Sequence, residues 1–276
     1  MSEPQDTPRE RMARLILALR SQGVTDPRVL EAIEKTTRRD QGVFGLVATS
    51  IEHPNLVVEA GTWVMGQGLD WVRGGKYAFT DPKVVAAIDE YRRSMRSAPP
   101  GTNSTTARQL FLDGKATFLR DGPWIWAFVA RAPEATRESL KVARVPFPTV
   151  TGGTSNSLHI ASSTPKEKQD LAWKLMRLAA SPRFQGEYTV LSGAPAARKG
   201  SLPADAAQRL PHLQLVMDSA ATATSVFPTH PALQQGYNEF ASIFGRAMLR
   251  LQSTQEPTDR VLAALQRELE RAVPLD

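Results

Sequence analysis

Along residues 1–40, apolar positions recur with the period of a helix. Thr7-Pro8-Arg9-Glu10 is a capping box with proline at the first helical position, and Met12, Leu15, Ile16 and Leu19 follow at helical spacing. Gly23 ends this helix, Asp26-Pro27 opens a second, and Val29, Leu30 and Ile33 form its apolar stripe. Residues 1–40 are therefore expected to be an N-terminal helical hairpin. It should pack through Leu15, Leu19, Leu30 and Ile33 on a second domain of residues 41–276, because a lone hairpin cannot bury its apolar face.

From Val43 the pattern changes. Val43-Phe44-Gly45-Leu46-Val47-Ala48 is a short apolar run suited to a buried strand. Asp81-Pro82 caps a helix whose Val84, Val85, Ile88 and Tyr91 share a face. After a loop at Ser97 to Thr106 and a helical stretch at Ala107 to Leu112, Asp113-Gly114 turns the chain into a strand, Ala116-Thr117-Phe118-Leu119. Val142 to Val145 and Leu158 to Ala161 read as further strands, and the first of these is expected to share one sheet with 43–48 and 116–119. Lys166 to Ala180 is an amphipathic helix with Leu171, Leu175, Met176 and Leu178 expected inward. The last third is helical, interrupted by prolines, and ends in a helix from about Asp259 to Ala272. Strands alternating with helices predict a helix-rich α/β layered fold.

Composition adds exclusions. With 276 residues and 41% hydrophobic content the chain can bury a substantial core. Lys and Arg outnumber Asp and Glu by 34 to 28. The basic residues form no run and lack the interleaved aromatics that stack bases, so no nucleic-acid partner is expected. The absence of cysteine rules out disulfides, thiolate metal sites and a Cys nucleophile. His53, His159, His212 and His230 show no metal-ligand spacing, so neither a metal nor a cofactor is expected. The first ten residues lack a basic segment leading into an apolar one, so no secretory signal is expected, and no apolar window is long enough for membrane insertion.

Function is carried by the run Phe111-Leu112-Asp113-Gly114-Lys115-Ala116-Thr117-Phe118-Leu119-Arg120-Asp121-Gly122-Pro123-Trp124-Ile125-Trp126. It resembles the signature of the extracellular solute-binding proteins of ABC sugar importers, the family of the maltodextrin-binding proteins. Four further features follow in that family's order: Val145-Pro146-Phe147-Pro148, the Gly152-Gly153 loop, the helix start Ser163-Thr164-Pro165-Lys166-Glu167, and the stretch from Ser181 to the small-residue loop Gly193-Ala194-Pro195-Ala196-Ala197. The resemblance spans about residues 42–250. It implies a periplasmic-binding-protein-like lobe, a carbohydrate-like small-molecule solute, ABC importer membrane subunits as partners, and a periplasmic or extracytoplasmic location. A chain expressed as written would stay cytoplasmic. The family has two lobes around a cleft, and the hairpin stands where most of the first lobe would be, so that lobe is expected to be missing and affinity to be poor.

A second resemblance covers residues 9–34. The run from Arg14 through Gly23-Val24-Thr25-Asp26-Pro27 to Glu34 is similar to the opening of protein L-isoaspartate O-methyltransferases. It stops at Thr36-Thr37-Arg38-Arg39-Asp40. Leu56-Val57-Val58-Glu59-Ala60-Gly61-Thr62 imitates the start of a methyltransferase cofactor loop, but Trp63, Val64 and Met65 put bulk where such a loop needs small residues. An amphipathic or buried helix is expected there. The alternatives to a solute-binding protein are thus a methyltransferase fragment or a foldable remnant without a transport role.

A sugar presents flat C–H faces ringed by hydroxyls, so its receptor needs aromatic platforms and fixed polar groups. By resemblance Trp124 ranks first as a platform, and its bland alternative is packing between elements. Trp126, two residues on, is expected in the core. Ser155 and Asn156 on the glycine loop, Tyr237 after Gly236, and Trp63 with Gln67 complete the candidate contacts. Arg120 and Asp121 read as a solvated turn. No catalytic residue is expected.

Overall fold

The computed structural model describes Ala32 and residues 35–149, 151–152, 157–220 and 223–276. The expected hairpin and the methyltransferase-like run lie outside these, apart from Ala32 and the residues from Lys35 onward. In chain order the elements are β1 (Phe44–Val47), α1 (Asn55–Met65), β2 (Val72–Arg73), β3 (Lys76–Tyr77), α2 (Pro82–Met95), α3 (Ser104–Leu112), β4 (Ala116–Leu119), α4 (Trp126–Val129) and α5 (Glu134–Ser139). There follow β5 (Thr151–Gly152), α6 (Lys166–Ala179), α7 (Pro182–Ser192), α8 (Ala206–Arg209), α9 (Leu213–Ala220), β6 (Thr224–Ser225), α10 (Pro231–Gln235), α11 (Tyr237–Ser253) and α12 (Thr258–Ala272).

The chain divides into two compact units. One comprises the described residues of Met1–Arg120, Glu138–Gly153 and Thr222–Asp276; the other comprises those of Asp121–Arg137 and Thr154–Ala221. The fold is α/β and helix-rich, as the pattern predicts.

In the first unit β1 and β4 run parallel, with Phe44 opposite Ala116 and Leu46 opposite Phe118. Parallel strands need a crossover connection, and here it runs through α1 to α3. Asp81 caps α2 through the Lys83 amide with Pro82 at the first turn, and Asn103 caps α3 through the Thr106 amide. α1, α2, α11 and α12 pack together around a buried aromatic cluster. Trp71 stacks on Phe79 at 5.2 Å and meets Phe244 edge-on at 5.0 Å, with Phe240 5.7 Å from Phe244. Tyr77 donates to the Val273 carbonyl at 2.6 Å, and burial pushes its phenol up to about 12, with the Glu270 charge adding to the effect. The hydrophobic burial of α1 and its apolar run thus form a helix rather than a cofactor loop.

Three expectations are corrected. Val142–Val145 forms no strand; a short apolar run becomes a strand only where a neighbour supplies hydrogen bonds, and β1 and β4 pair only with each other among the described residues. Leu158–Ala161 is likewise not a strand. On α6 no residue is fully buried: Met176 is half-buried together with Ala172 and Ala179, while Leu171, Leu175 and Leu178, expected inward, are exposed, so the less exposed side of the helix carries mostly smaller residues.

In the second unit Trp126 lies against His212, with ring centroids 4.6 Å apart. The His212 Nε2 pairs with the Gly193 carbonyl at 2.9 Å. Gly193 ends α7 with φ 73°, and a Cβ there would collide with Trp126, so both the turn and the contact require glycine. Trp126 is a packing residue, as its spacing from Trp124 implies.

Candidate functional site

In open α/β sheets ligands gather at the carboxyl ends of the strands. Thr49 follows β1 and Arg120 follows β4, so the parallel pairing places both at that end. α1 lays Glu59 across them. One Glu59 oxygen lies 3.4 Å from the Thr49 amide and hydroxyl, and the other lies 3.3 Å from Arg120 Nη2. The Glu59 and Arg120 side chains are 14% and 29% exposed, so the pair is largely shielded yet still touched by solvent. Its field reaches Tyr91, whose phenol is pushed up first by burial and then by the Glu59 charge, and whose oxygen accepts from Gln252 at 2.7 Å.

One turn along α1, Thr62 and Trp63 face a different strand pair, β5 with β6. The Thr62 hydroxyl donates to the Val58 carbonyl and lies 3.3 Å from that of Thr151. Trp63 meets Phe147 edge-on at 5.1 Å. Gly66 allows this approach: a Cβ there would sit 2.8 Å from the Phe147 ring, and its carbonyl accepts from the Thr149 amide at 2.9 Å. Gly61 similarly lets the chain leaving β6 pass close, with a Cβ 3.3 Å from the Val226 carbonyl. Beyond Val226, Phe227 lies 5.9 Å from Tyr237, which opens α11 and is half-buried. Burial raises the Tyr237 phenol, which keeps it a neutral donor and acceptor at physiological pH. Gln67 is exposed and donates to Glu90 at 3.0 Å.

In the second unit Trp124 sits in the single helical turn Pro123–Ile125 and is 49% exposed. Its ring folds back over Gly122, where any Cβ would overlap it. The Asp121 carboxylate accepts from the Gly122 amide at 2.8 Å and fixes the turn. A half-exposed indole next to a defined turn can offer a surface for stacking on a sugar.

The expected contacts thus fall into three groups. Trp63, Gln67 and Tyr237 belong to the first unit, Trp124 belongs to the second, and Ser155 and Asn156 lie outside the described residues. The sequence reading overlooked the Glu59–Arg120 pair and took Arg120 as solvated. The available signal was a lone carboxylate within an otherwise apolar helix. Among the described residues no cluster of histidines and carboxylates could hold a metal ion, and no helix is long and apolar enough to cross a membrane. An open groove of about 520 Å³ runs beside α7 between Val190, Leu202 and Pro203. It has no aromatic platform, and Arg183 at its rim is already paired with Glu187.

The comparisons with known proteins agree with this architecture. The family model for bacterial extracellular solute-binding proteins matches residues 28–214. The diacetylchitobiose-binding protein DasA of Streptomyces coelicolor is 28% identical over 141 residues, 47% of this chain and 33% of its own. The fold is similar to that of maltose-bound MalE3 of T. maritima, with a TM-score of 0.74 and 18% identity over 90% of this chain and 65% of that one. It is also similar to a solute-binding protein of Agrobacterium radiobacter K84 in complex with ribitol, with a TM-score of 0.70 and 16% identity over 90% and 64%. The chain therefore spans about two thirds of the length of these solved relatives and a third of the curated one.

Proposed function

This chain belongs to the bacterial extracellular solute-binding protein family, and from that premise we propose that it captures a carbohydrate-like small molecule reversibly, without making or breaking bonds, on behalf of an ABC importer. The observation that carries the reading is Trp124, a half-exposed indole lying over Gly122. Trp63, Tyr237 and Gln67 are proposed contacts from the first unit, with Ser155 and Asn156 added on sequence grounds. The ligands named for the relatives, diacetylchitobiose, maltose and ribitol, share vicinal hydroxyls on an apolar carbon frame. That chemistry suits aromatic faces flanked by a few polar groups. The protein would act outside the cytoplasmic membrane with the importer's membrane subunits as partners, and its affinity in this form would be weak.

The methyltransferase reading finds no support here. The segment that would open a cofactor loop, Leu56 to Thr62, is the buried body of α1. Titrating these three ligands against the protein by tryptophan fluorescence tests the proposal. At least one should bind, and Trp124→Ala should weaken it by about 1–3 kcal/mol. If no carbohydrate or polyol perturbs the fluorescence, the solute class is wrong.

A further inference from the structure

Against the turn that carries Trp124, a buried histidine makes one hydrogen bond and leaves its other ring nitrogen bare. His212 is 5% exposed. Its Nε2 lies 2.9 Å from the Gly193 carbonyl, which can only accept, so the neutral ring carries its proton on Nε2 and a lone pair on Nδ1. Nδ1 is buried and meets no hydrogen-bond partner among the described residues. Trp126 lies beside the ring, with centroids 4.6 Å apart. Gly193 passes the contact on to the turn: a Cβ there would overlap Trp126 and sit 2.9 Å from the Pro123 carbonyl oxygen. Trp124 thus stands in the chain between two residues that rest on the backbone held by His212, all within the second unit.

A second proton would turn Nδ1 into a buried, charged donor with no acceptor, which is unfavourable. His212 also leads into α9, its carbonyl accepting from the Val216 amide at 3.1 Å, and the partial positive charge of a helix N-terminus opposes a cation there. The Trp126 ring would offset part of this cost but supplies no lone pair to the new N–H. The titratable side chains on the elements around the ring are Arg183, Glu187 and Tyr188 on α7, Asp205 and Arg209 at the two ends of α8, and Asp218 on α9. Arg183 pairs with Glu187, Arg209 with Asp205, and Asp218 accepts from Gln214; none hydrogen-bonds to the ring. Burial lowers the His212 pKa while the Gly193 bond opposes the shift, so the ring is neutral at pH 7. We propose that neutral His212 is the positioning residue for the Trp124 turn, and that protonating it lets the turn part from the end of α7 and releases the solute. The release rests on Trp124 being a solute contact; the positioning does not.

The test is fluorine NMR of the 276-residue chain labelled with 5-fluorotryptophan, the Trp124 resonance being identified by its loss in Trp124→Phe. Without solute, that resonance should move in one step as pH falls from 7 to 5 while far-UV circular dichroism stays constant. His212→Gln, which keeps a neutral N–H for the Gly193 carbonyl, should hold the resonance at its wild-type place throughout. His212→Leu, which fills the space without a donor, should show a displaced resonance already at pH 7. Calorimetry with diacetylchitobiose, maltose and ribitol follows. For whichever binds, affinity should fall about tenfold over this pH range in wild type, the loss of one aromatic stacking contact, and stay level in His212→Gln. The assignment is overturned by a wild-type Trp124 resonance that ignores pH or moves only as the helices melt, by an equal shift in His212→Gln, or by a wild-type position in His212→Leu. A solute whose wild-type affinity stays level overturns the release. Resonances that behave as expected in a protein that binds none of the three solutes uphold the positioning role and count instead against the carbohydrate reading.

Discussion

Gly122→Ala separates the recognition role of Trp124 from any packing role. The new methyl group would overlap the six-membered ring of Trp124, so the indole must swing away. The backbone does not resist: Gly122 has φ −86° and ψ 171°, which alanine adopts freely. Since the ring is half-exposed, moving it sacrifices little packing, and alanine restricts the unfolded chain, offsetting about 0.4–1 kcal/mol. Stability should therefore change by less than about 1 kcal/mol, a shift in Tm of no more than about 4 °C. Binding should change more. An indole of about 250 Å² that is 49% exposed offers roughly 60 Å² on one stacking face, worth about 1.5 kcal/mol or about tenfold in Kd. Calorimetric titration of wild type, Gly122→Ala, Trp124→Ala and the double variant gives the cycle. The two single losses should be similar and the double no worse than either. The reasoning is refuted if Gly122→Ala binds like wild type while Trp124→Ala does not, or if Gly122→Ala unfolds many degrees early.

Phe244→Ala, at the centre of the buried aromatic cluster, should cost about 3–5 kcal/mol in urea unfolding; a loss below about 1 kcal/mol would show the cluster is not core. Arg120→Met leaves the Glu59 carboxylate without its cation and should cost about 1–2 kcal/mol, much of it recovered in Glu59→Gln/Arg120→Met; additive losses in the double-mutant cycle would mean the two do not interact. Burial lowers the His212 pKa, with the Gly193 hydrogen bond opposing the shift, so the unfolded chain takes up that proton first. Stability is complete above the unfolded value near 6.5 and falls as pH drops below it, so Tm should decline less between pH 7 and 5.5 in His212→Gln than in wild type; equal declines would contradict the assignment.

What the amino-acid pattern reveals, and where it stops, follows from the range of the interactions. α2 is legible because its capping residue and apolar stripe are local signals: Asp81-Pro82 marks a start wherever the helix later packs. β1 and β4 are legible as apolar runs bounded by glycine, whereas 142–145 has the same texture and no partner strand, a non-local fact. The α6 stripe shows the limit most clearly. Its periodicity predicts an amphipathic helix correctly, but periodicity gives a face and not a direction, and the leucines expected in the core face solvent. Trp124 could be singled out from its Gly-Pro-Trp context. Glu59 and Arg120 are far apart in sequence, and only the parallel pairing of β1 with β4 and the crossing of α1 brings them together.

The central claim is reversible capture of a carbohydrate-like solute, and the most direct measurement is isothermal titration of the purified chain with diacetylchitobiose, maltose and ribitol, alongside S-adenosylmethionine. The solute should be recovered afterwards and examined by mass spectrometry. The account predicts saturable, weak heat for at least one carbohydrate or polyol, none for S-adenosylmethionine, and a solute returned with unchanged mass. Saturable binding of S-adenosylmethionine alone, or a solute returned cleaved or methylated, would contradict it.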